Sequence, residues 1–287
     1  MNQAAAIKVT YYPGCSLEST ASDYNASIQA LAGMLGIELS EVEDWNCCGS
    51  TSAHSLSPEL SLVLSARNVV RAEAAGRDLI VPCSLCFNRL KTAEKALRQG
   101  TVSEYNFSGL IQVRDILEFL SSSEILDRFV DKIKNPLKGL RALCYYGCQG
   151  NRPPQIVGRT DCENPMDMDR LVEACGATAV DWPFKTDCCG ASHAVARQDL
   201  VYELVGRLFD RAVAQGADCF VVSCQMCQAN LDMYQEKISQ ARGRKYQIPV
   251  FYFTELMGLA VGHPDVSKWL SRHFVDPIPL LNHLELL

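Results

Sequence analysis

Ten cysteines fall into two sets with the same internal order. Cys15 is followed by the adjacent pair Cys47 and Cys48, and then by Cys83-x-x-Cys86. Cys148 is followed by Cys188 and Cys189, and then by Cys224-x-x-Cys227. The first spacers are 31 and 39 residues, and the second is 34 in both sets. Thiolates are nucleophiles and soft metal ligands. Zinc takes four ligands in a tetrahedron, and a cubane iron–sulfur cluster also takes four. Five thiolates converging on one site suit a larger or less regular cluster with a bridging thiolate. Zinc with a spare cysteine stays open at this point.

These side chains need elements to position them, and the flanks repeat with the cysteines. "VEDWNCCG" answers "VDWPFKTDCCG", and "AAGRDLIVPCSLC" answers "AQGADCFVVSCQMC". A period near 140 residues marks a duplicated domain rather than a solenoid. In each copy a β-rich run ends at the first cysteine, and a strand precedes the Cys-Cys-Gly turn. A helix of about 20 residues with apolar spacing of three to four comes next, then a buried strand into Cys-x-x-Cys. A plain helix over about 21–36 is expected in the first copy alone. The Pro- and Asp-rich stretch 149–170 of the second copy reads as irregular, and 121–140 as a connector. The sequence therefore predicts an α/β fold of two tandem domains, 1–135 and 136–287. Each would have a small, mostly parallel sheet flanked by helices. Ligands of such sheets lie beyond the carboxyl ends of the strands, where all six cysteine groups fall. Gly49 and Gly190 are expected to let the backbone approach a bulky ligand.

Composition narrows the function. The net charge is −6, which argues against a nucleic-acid partner. No apolar run approaches the ~18 residues of a membrane helix, and the start lacks the basic and apolar regions of a signal peptide. The expected location is the cytoplasm, in a soluble complex or one docked to a membrane partner. Thiols stay reduced there, so a cysteine pattern reads as metal-binding or catalytic.

The pattern Cys-x31-Cys-Cys-Gly-x33-Cys-x-x-Cys and its second copy resemble the cysteine-rich CCG domain of the B-type subunit of heterodisulfide reductase. The resemblance covers almost the whole chain. It implies two noncubane [4Fe-4S] clusters, one on Cys15, Cys47, Cys48, Cys83 and Cys86. The other would sit on Cys148, Cys188, Cys189, Cys224 and Cys227. It further implies a disulfide oxidoreductase that splits, or in reverse forms, a disulfide such as that of coenzyme M and coenzyme B. Two clusters facing one cleft would each deliver one electron to such a small-molecule substrate. The sequence has no ferredoxin-type cysteine run and no Gly-x-Gly-x-x-Gly. The resemblance then implies two partners: a ferredoxin-like [4Fe-4S] protein similar to the C-type subunit, and a flavin-containing one similar to the A-type subunit. Two other readings compete: an electron-transfer protein serving a quinone or a partner protein, and a zinc-binding interaction module.

His54 and His193 each follow a Cys-Cys-Gly turn and are candidate proton donors to a departing thiolate. The competing reading makes them packing residues near a helix terminus. Cys144, Cys175 and Cys219 read as core, while Cys162 has no counterpart in the first copy. Arg152, Arg159 and Arg170 read as loop arginines. Tyr11, Tyr12, Tyr145 and Tyr146 are expected to wall the cysteine sites off from water.

Overall fold

The structure is a computed structural model and describes residues 5–287. The chain divides into two compact units. One comprises residues up to Ser122 together with Gln149–Thr160, and the other Ser123–Cys148 with Asp161–Leu287.

The first unit runs β1 (Ile7–Tyr11), α1 (Ser22–Leu35), β2 (Ile37–Glu41), α2 (Ser52–Leu56), α3 (Pro58–Glu73), β3 (Leu79–Val81), α4 (Ser84–Arg98), β4 (Val113–Asp115) and α5 (Ile116–Leu120). Its four strands are all parallel, in the order β2-β1-β3-β4. Leu79, Ile80 and Val81 have no exposed surface, as a strand covered by helices on both faces requires. Helix α3 starts cleanly because Pro58 takes its first position and the Ser57 hydroxyl accepts the Leu60 N–H.

The second unit runs α6 (Ser123–Val130) and β5 (Arg141–Tyr145); the chain then lends α7 (Pro154–Val157) to the first unit and returns with α8 (Asp167–Ala174) and β6 (Thr178–Ala179). It continues with α9 (Gln198–Ala214), β7 (Cys219–Val222), α10 (Gln225–Met233), α11 (Gln235–Arg242), β8 (Val250–Tyr252), α12 (Phe253–Val261), α13 (Val266–Leu270) and α14 (Ile278–His283). Its sheet repeats the first, all parallel in the order β6-β5-β7-β8. The α/β duplication read from the sequence is therefore present.

Local departures have physical causes. The end of the stretch 149–170 is not irregular, because Asp167 and Asp169 open α8, the counterpart of α1. Acidic residues favour a helix N-terminus, so the Asp-rich run is a helix start. Within 121–140, α6 buries Ile125 and Phe129, four residues apart on one face. The apolar run 250–262 is β8 and α12. Its Glu255 is fully buried, with the carboxylate taking the Tyr252 N–H at 2.8 Å and meeting His273 Nε2 at 3.0 Å. Among the described residues no helix is long and apolar enough to cross a membrane.

Candidate metal centres

In the first unit the cysteines follow β1, β2 and β3, at the point where the strand order reverses between β1 and β3. Crevices open at such points in parallel sheets. Cys83 caps α4, its sulfur accepting the Cys86 N–H at 3.3 Å. Cys48 and Cys86 approach to 3.1 Å between sulfurs. Cys47 bonds to both Cys15 and Cys48, and Cys86 to Cys83. All five sulfurs thus form one connected group. Cys48, Cys83 and Cys86 are buried, while Cys15 and Cys47 reach the surface.

The second unit builds a corresponding group, in which Cys188, Cys189 and Cys224 all act electrostatically on Cys148. Cys189 and Cys227 sulfurs lie 3.7 Å apart, Cys148 bonds to Cys188, and Cys227 bonds to Cys224. Cys188 is exposed, as Cys47 is.

The electrostatics of both groups call for a cation. Bonding from Cys15, then from Cys48, drives the Cys47 thiol well below its ordinary range, and the Gly49 N–H adds to this against the effect of burial. Cys188 is lowered likewise by Cys148, with help from the Gly190 N–H and the nearby His193. The neighbours move the other way. Bonding to Cys47, burial and adjacent thiolates push Cys15 up, and Cys86, Cys148 and Cys227 follow for the same kinds of cause. Five thiolates cannot share such a space on their own, and a multivalent cationic centre removes the conflict. The donor set therefore fits an iron–sulfur cluster.

Two glycines shape the cradle. A Cβ on Gly14 would stand 3.1 Å from the Cys86 sulfur, and one on Gly147 would stand 2.8 Å from the Cys227 sulfur. Both have positive φ. Gly49 and Gly190 do a different job from the one expected. Their missing Cβ atoms face α3 and α9, with Ser61 Cα at 3.3 Å from the first and Val201 Cα at 3.4 Å from the second. They let the Cys-Cys turn lie against the following helix and do not make room for a ligand.

The tyrosine wall is half of what the sequence suggested. Tyr12 and Tyr145 are buried against the thiols, and burial together with the adjacent thiolates pushes their hydroxyl pKa values up. Sheet register makes them counterparts, since Tyr11 pairs with Ile80 as Cys144 pairs with Val221. Each tyrosine donates to the carbonyl just before its cysteine pair: Tyr12 to Asn46 O at 2.8 Å, Tyr145 to Asp187 O at 2.5 Å. Trp45 and Trp182 pack on the two rings. Tyr11 and Tyr146 turn elsewhere, to Asn25 and Asp169.

Helix side chains hold the turns from behind. Asn68 exchanges two bonds with the Asn46 backbone, at 2.9 and 2.8 Å, and Ser65 donates to Cys48 O at 2.8 Å. In the second unit Asn230 donates to Cys189 O at 3.1 Å and reaches its sulfur at 3.6 Å. The matching position of the first unit, three residues beyond Cys86, carries Arg89. Burial pulls the pKa of this half-buried cation down, and the nearby Cys48 thiolate raises it.

His54 is exposed on α2, and its Nδ1 lies 3.3 Å from Arg89 Nη1. His193 is exposed on a short 3-10 turn, Ala191–His193. Cys144, Cys175 and Cys219 are buried in the core. Cys162 belongs to neither set, and its sulfur lies 3.7 Å from the Glu163 carboxylate. Arg159 pairs with Asp115 and Arg170 with Asp167, and the Arg152 carbonyl accepts from Asn88. Sequence reasoning passed over Gly14, Gly147, Asn68 and Asn230. The glycines had a signal, because each immediately precedes the first cysteine of its set. It also passed over Arg67 and Arg71 of α3, which recur as Arg207 and Arg211 of α9 in "RNVVRA" and "RLFDRA".

Comparison with known proteins agrees with this geometry. The family model of the CCG cysteine-rich domain matches residues 9–91 and 142–232. The 8-methylmenaquinol:fumarate reductase membrane anchor subunit of Wolinella succinogenes is 30% identical over 279 residues, covering 94% of this chain and 98% of that one. The B-type subunit of the ferredoxin:CoB-CoM heterodisulfide reductase of Methanosarcina mazei is 28% identical over 288 residues, covering 96% of each. A protein of Archaeoglobus profundus, described as like the B-type subunit of heterodisulfide reductase, is 24% identical, covering 89% of this chain and 91% of that one. A hypothetical protein from Helicobacter pylori has a crystal structure with TM-score 0.69 at 12% identity. It matches 96% of this chain, which spans 55% of that longer one, and the likeness is one of fold.

Proposed function

Because this chain belongs to the cysteine-rich CCG domain family, we propose that it is the disulfide-handling iron–sulfur component of a multi-subunit reductase, equivalent to the B-type subunit of heterodisulfide reductase. The observation that supports this reading most is the convergence of five sulfurs in each unit. On this reading each set holds one noncubane [4Fe-4S] cluster. A cluster supplies one-electron transfer and an iron that can take a sulfur, and two clusters match the two electrons of a disulfide.

The chain's own residues do the rest. Cys47 and Cys188 stand at the exposed edges of the two sets, where a substrate would arrive. Tyr12 and Tyr145 hold the cysteine pairs and exclude water from the buried side. His54 and His193, each just beyond a Cys-Cys-Gly turn, carry the proton that a departing thiolate needs. The duplicated units are 1–135 and 136–287 by sequence repeat. Electrons come from a ferredoxin-like partner, fed by a flavin-containing one, in the cytoplasm or at its membrane face. A second reading is electron exchange with a quinone, favoured by the Wolinella relative, whose name pairs a menaquinol with a membrane anchor role.

Iron, acid-labile sulfide and zinc per chain, on protein purified without oxygen, test the centres. The expected content is about eight irons with no zinc. About four irons would remove the two-cluster mechanism, and zinc in place of iron would make the chain an interaction module. Single turnover of the pre-reduced protein then separates the substrates. Oxidation by an organic disulfide supports the first reading, and oxidation by a menaquinone analogue alone supports the second.

A further inference from the structure

The two copies treat one shared feature of the repeat differently. Gly49 packs on Ser61 and Leu64 of α3, and Gly190 packs on Val201 and Leu204 of α9. Those contacts fix the correspondence of the helices, so Arg67 and Arg71 match Arg207 and Arg211. In the first unit both arginines close on one carboxylate. Arg67 and Arg71 each reach Asp44 Oδ2 at 2.6 Å, and Arg67 also donates to the Asp44 carbonyl at 2.7 Å. Asp44 sits three residues before Cys47 with φ at 51°, a conformation that disfavours ordinary side chains.

The corresponding acid of the second unit, Asp181 before Trp182, pairs with neither arginine among the described residues. The loop from Trp182 to Cys188 is longer by four residues, and its Lys185 turns inward to Asp169 at 2.8 Å and is buried. Where the first unit has a closed arginine–carboxylate cluster, the second has a cavity of about 640 Å³. Cys188, Arg207, Arg211, Phe184, Leu204 and Asp187 are among the residues that line it. Arg207 is held from outside by Glu203. Arg211 stacks on Phe184 at 5.2 Å and has no carboxylate partner among the described residues. Arg242 and Asp210 pair with each other at the far wall. Among the described residues Asp187 pairs with neither Arg207 nor Arg211. The volume is that of a small-molecule site, the apolar side chains suit a carbon skeleton, and the exposed guanidinium of Arg211 suits a planar anion.

We propose that this cavity seats the anionic end of the substrate, a carboxylate- or sulfonate-bearing organic thiol or disulfide, beside Cys188. Arg211 and Arg207 take the place on the ligand that Arg71 and Arg67 take on Asp44. The inference rests on the disulfide reading above, and it makes the second set the one that selects substrate. A neutral quinone has no use for such a site.

The test is equilibrium binding of radiolabelled 3-mercaptopropionate and 1-propanethiol to the cluster-loaded chain, with the EPR spectrum of the same samples recorded. The wild type is expected to hold the carboxylate about tenfold more tightly, the worth of one charged hydrogen bond. Arg211→Gln and Arg207→Gln should each reduce that preference, Arg211→Lys should restore part of it, and Arg71→Gln should leave it intact. The proposal is overturned if the wild type shows no preference, or if both glutamine variants keep it. Propionate separates the two levels. If propionate competes for the cavity while neither thiol changes the EPR spectrum, the anion site stands and the disulfide reading falls. If both thiols change the spectrum with equal affinity, the reading stands and the anion site falls.

Discussion

Removing one hydroxyl from each copy tests how the Cys-Cys turns are held. Tyr145→Phe keeps the ring against Trp182 and Phe220 and deletes only the bond to Asp187 O. Tyr12→Phe does the same for Asn46 O. The two losses are unequal. Asn46 O keeps a second donor, Asn68 Nδ2 at 2.8 Å, whereas Asp187 O has Tyr145 alone among the described residues. A buried hydrogen bond contributes ~1 kcal/mol, and an acceptor left without a partner adds to the cost. We therefore expect about 1.5 kcal/mol for Tyr145→Phe and about 0.5 kcal/mol for Tyr12→Phe. At about 2–4 °C per kcal/mol for domains of this size, the shifts are about 3–6 °C and about 1–2 °C. Thermal unfolding of the cluster-loaded variants by circular dichroism reads both. Equal shifts, or a larger one for Tyr12→Phe, would refute the idea that these hydroxyls hold the turns through the carbonyls.

Two further outcomes follow from the same geometry. Gly147→Ala places a methyl 2.8 Å from the Cys227 sulfur, closer than real side chains tolerate, while Gly14→Ala leaves 3.1 Å to Cys86. Gly147→Ala should lower iron from about eight to about four per chain, and Gly14→Ala should lose less, as measured by iron analysis. Away from the centres, burial raises the Glu73 pKa, but the Ser108 and Leu110 N–H groups outweigh it and hold the carboxyl below its usual value. Its contribution is then complete above the unfolded value of about 4.3 and is lost as pH falls through the lower folded value. Glu73→Gln should cost about 0.5 kcal/mol at pH 7 after solvent screening, and urea titrations should show the difference shrink as pH falls through the folded value.

Much of this site could be read in the sequence because its cysteines are marked by residue type. A cysteine at a strand end stays recognisable whatever the packing, and five of them at a repeated spacing leave little freedom for where the strands stop. The parallel character of the sheet was legible too, from the alternation of strands and helices, whereas the strand order was not. What escaped was set by direction, which spacing does not carry. Gly49 and Gly14 look alike as glycines beside cysteines, yet one faces a helix and the other a sulfur. Tyr11 ends β1 and Tyr12 follows it directly, and alternation sends them to opposite faces, so only one could line the thiols. The stretch 149–170 looked irregular because its prolines mask the acidic start of α8.

The copies diverge in the loop that leads to the cysteine pair. Asp44-Trp45 and Asp181-Trp182 correspond, and the loop from Trp182 to Cys188 is four residues longer than that from Trp45 to Cys47. Asp44 points outward and ties its loop to two surface arginines. Lys185 points inward, where Asp169 and Tyr146 form a buried network at 2.8 and 2.6 Å. The Lys185 carbonyl also takes the N–H groups of Tyr146 and Gly147, next to Cys148. The loop before Cys188 is thus anchored from within, and breaking such a buried pair costs about 3–5 kcal/mol. An outward anchor would be redundant there, so the arginine pair of α9 is released from a structural duty that its twin in α3 still performs. A longer loop anchored from within is enough to leave the arginine pair of α9 without the loop carboxylate that its twin in α3 holds.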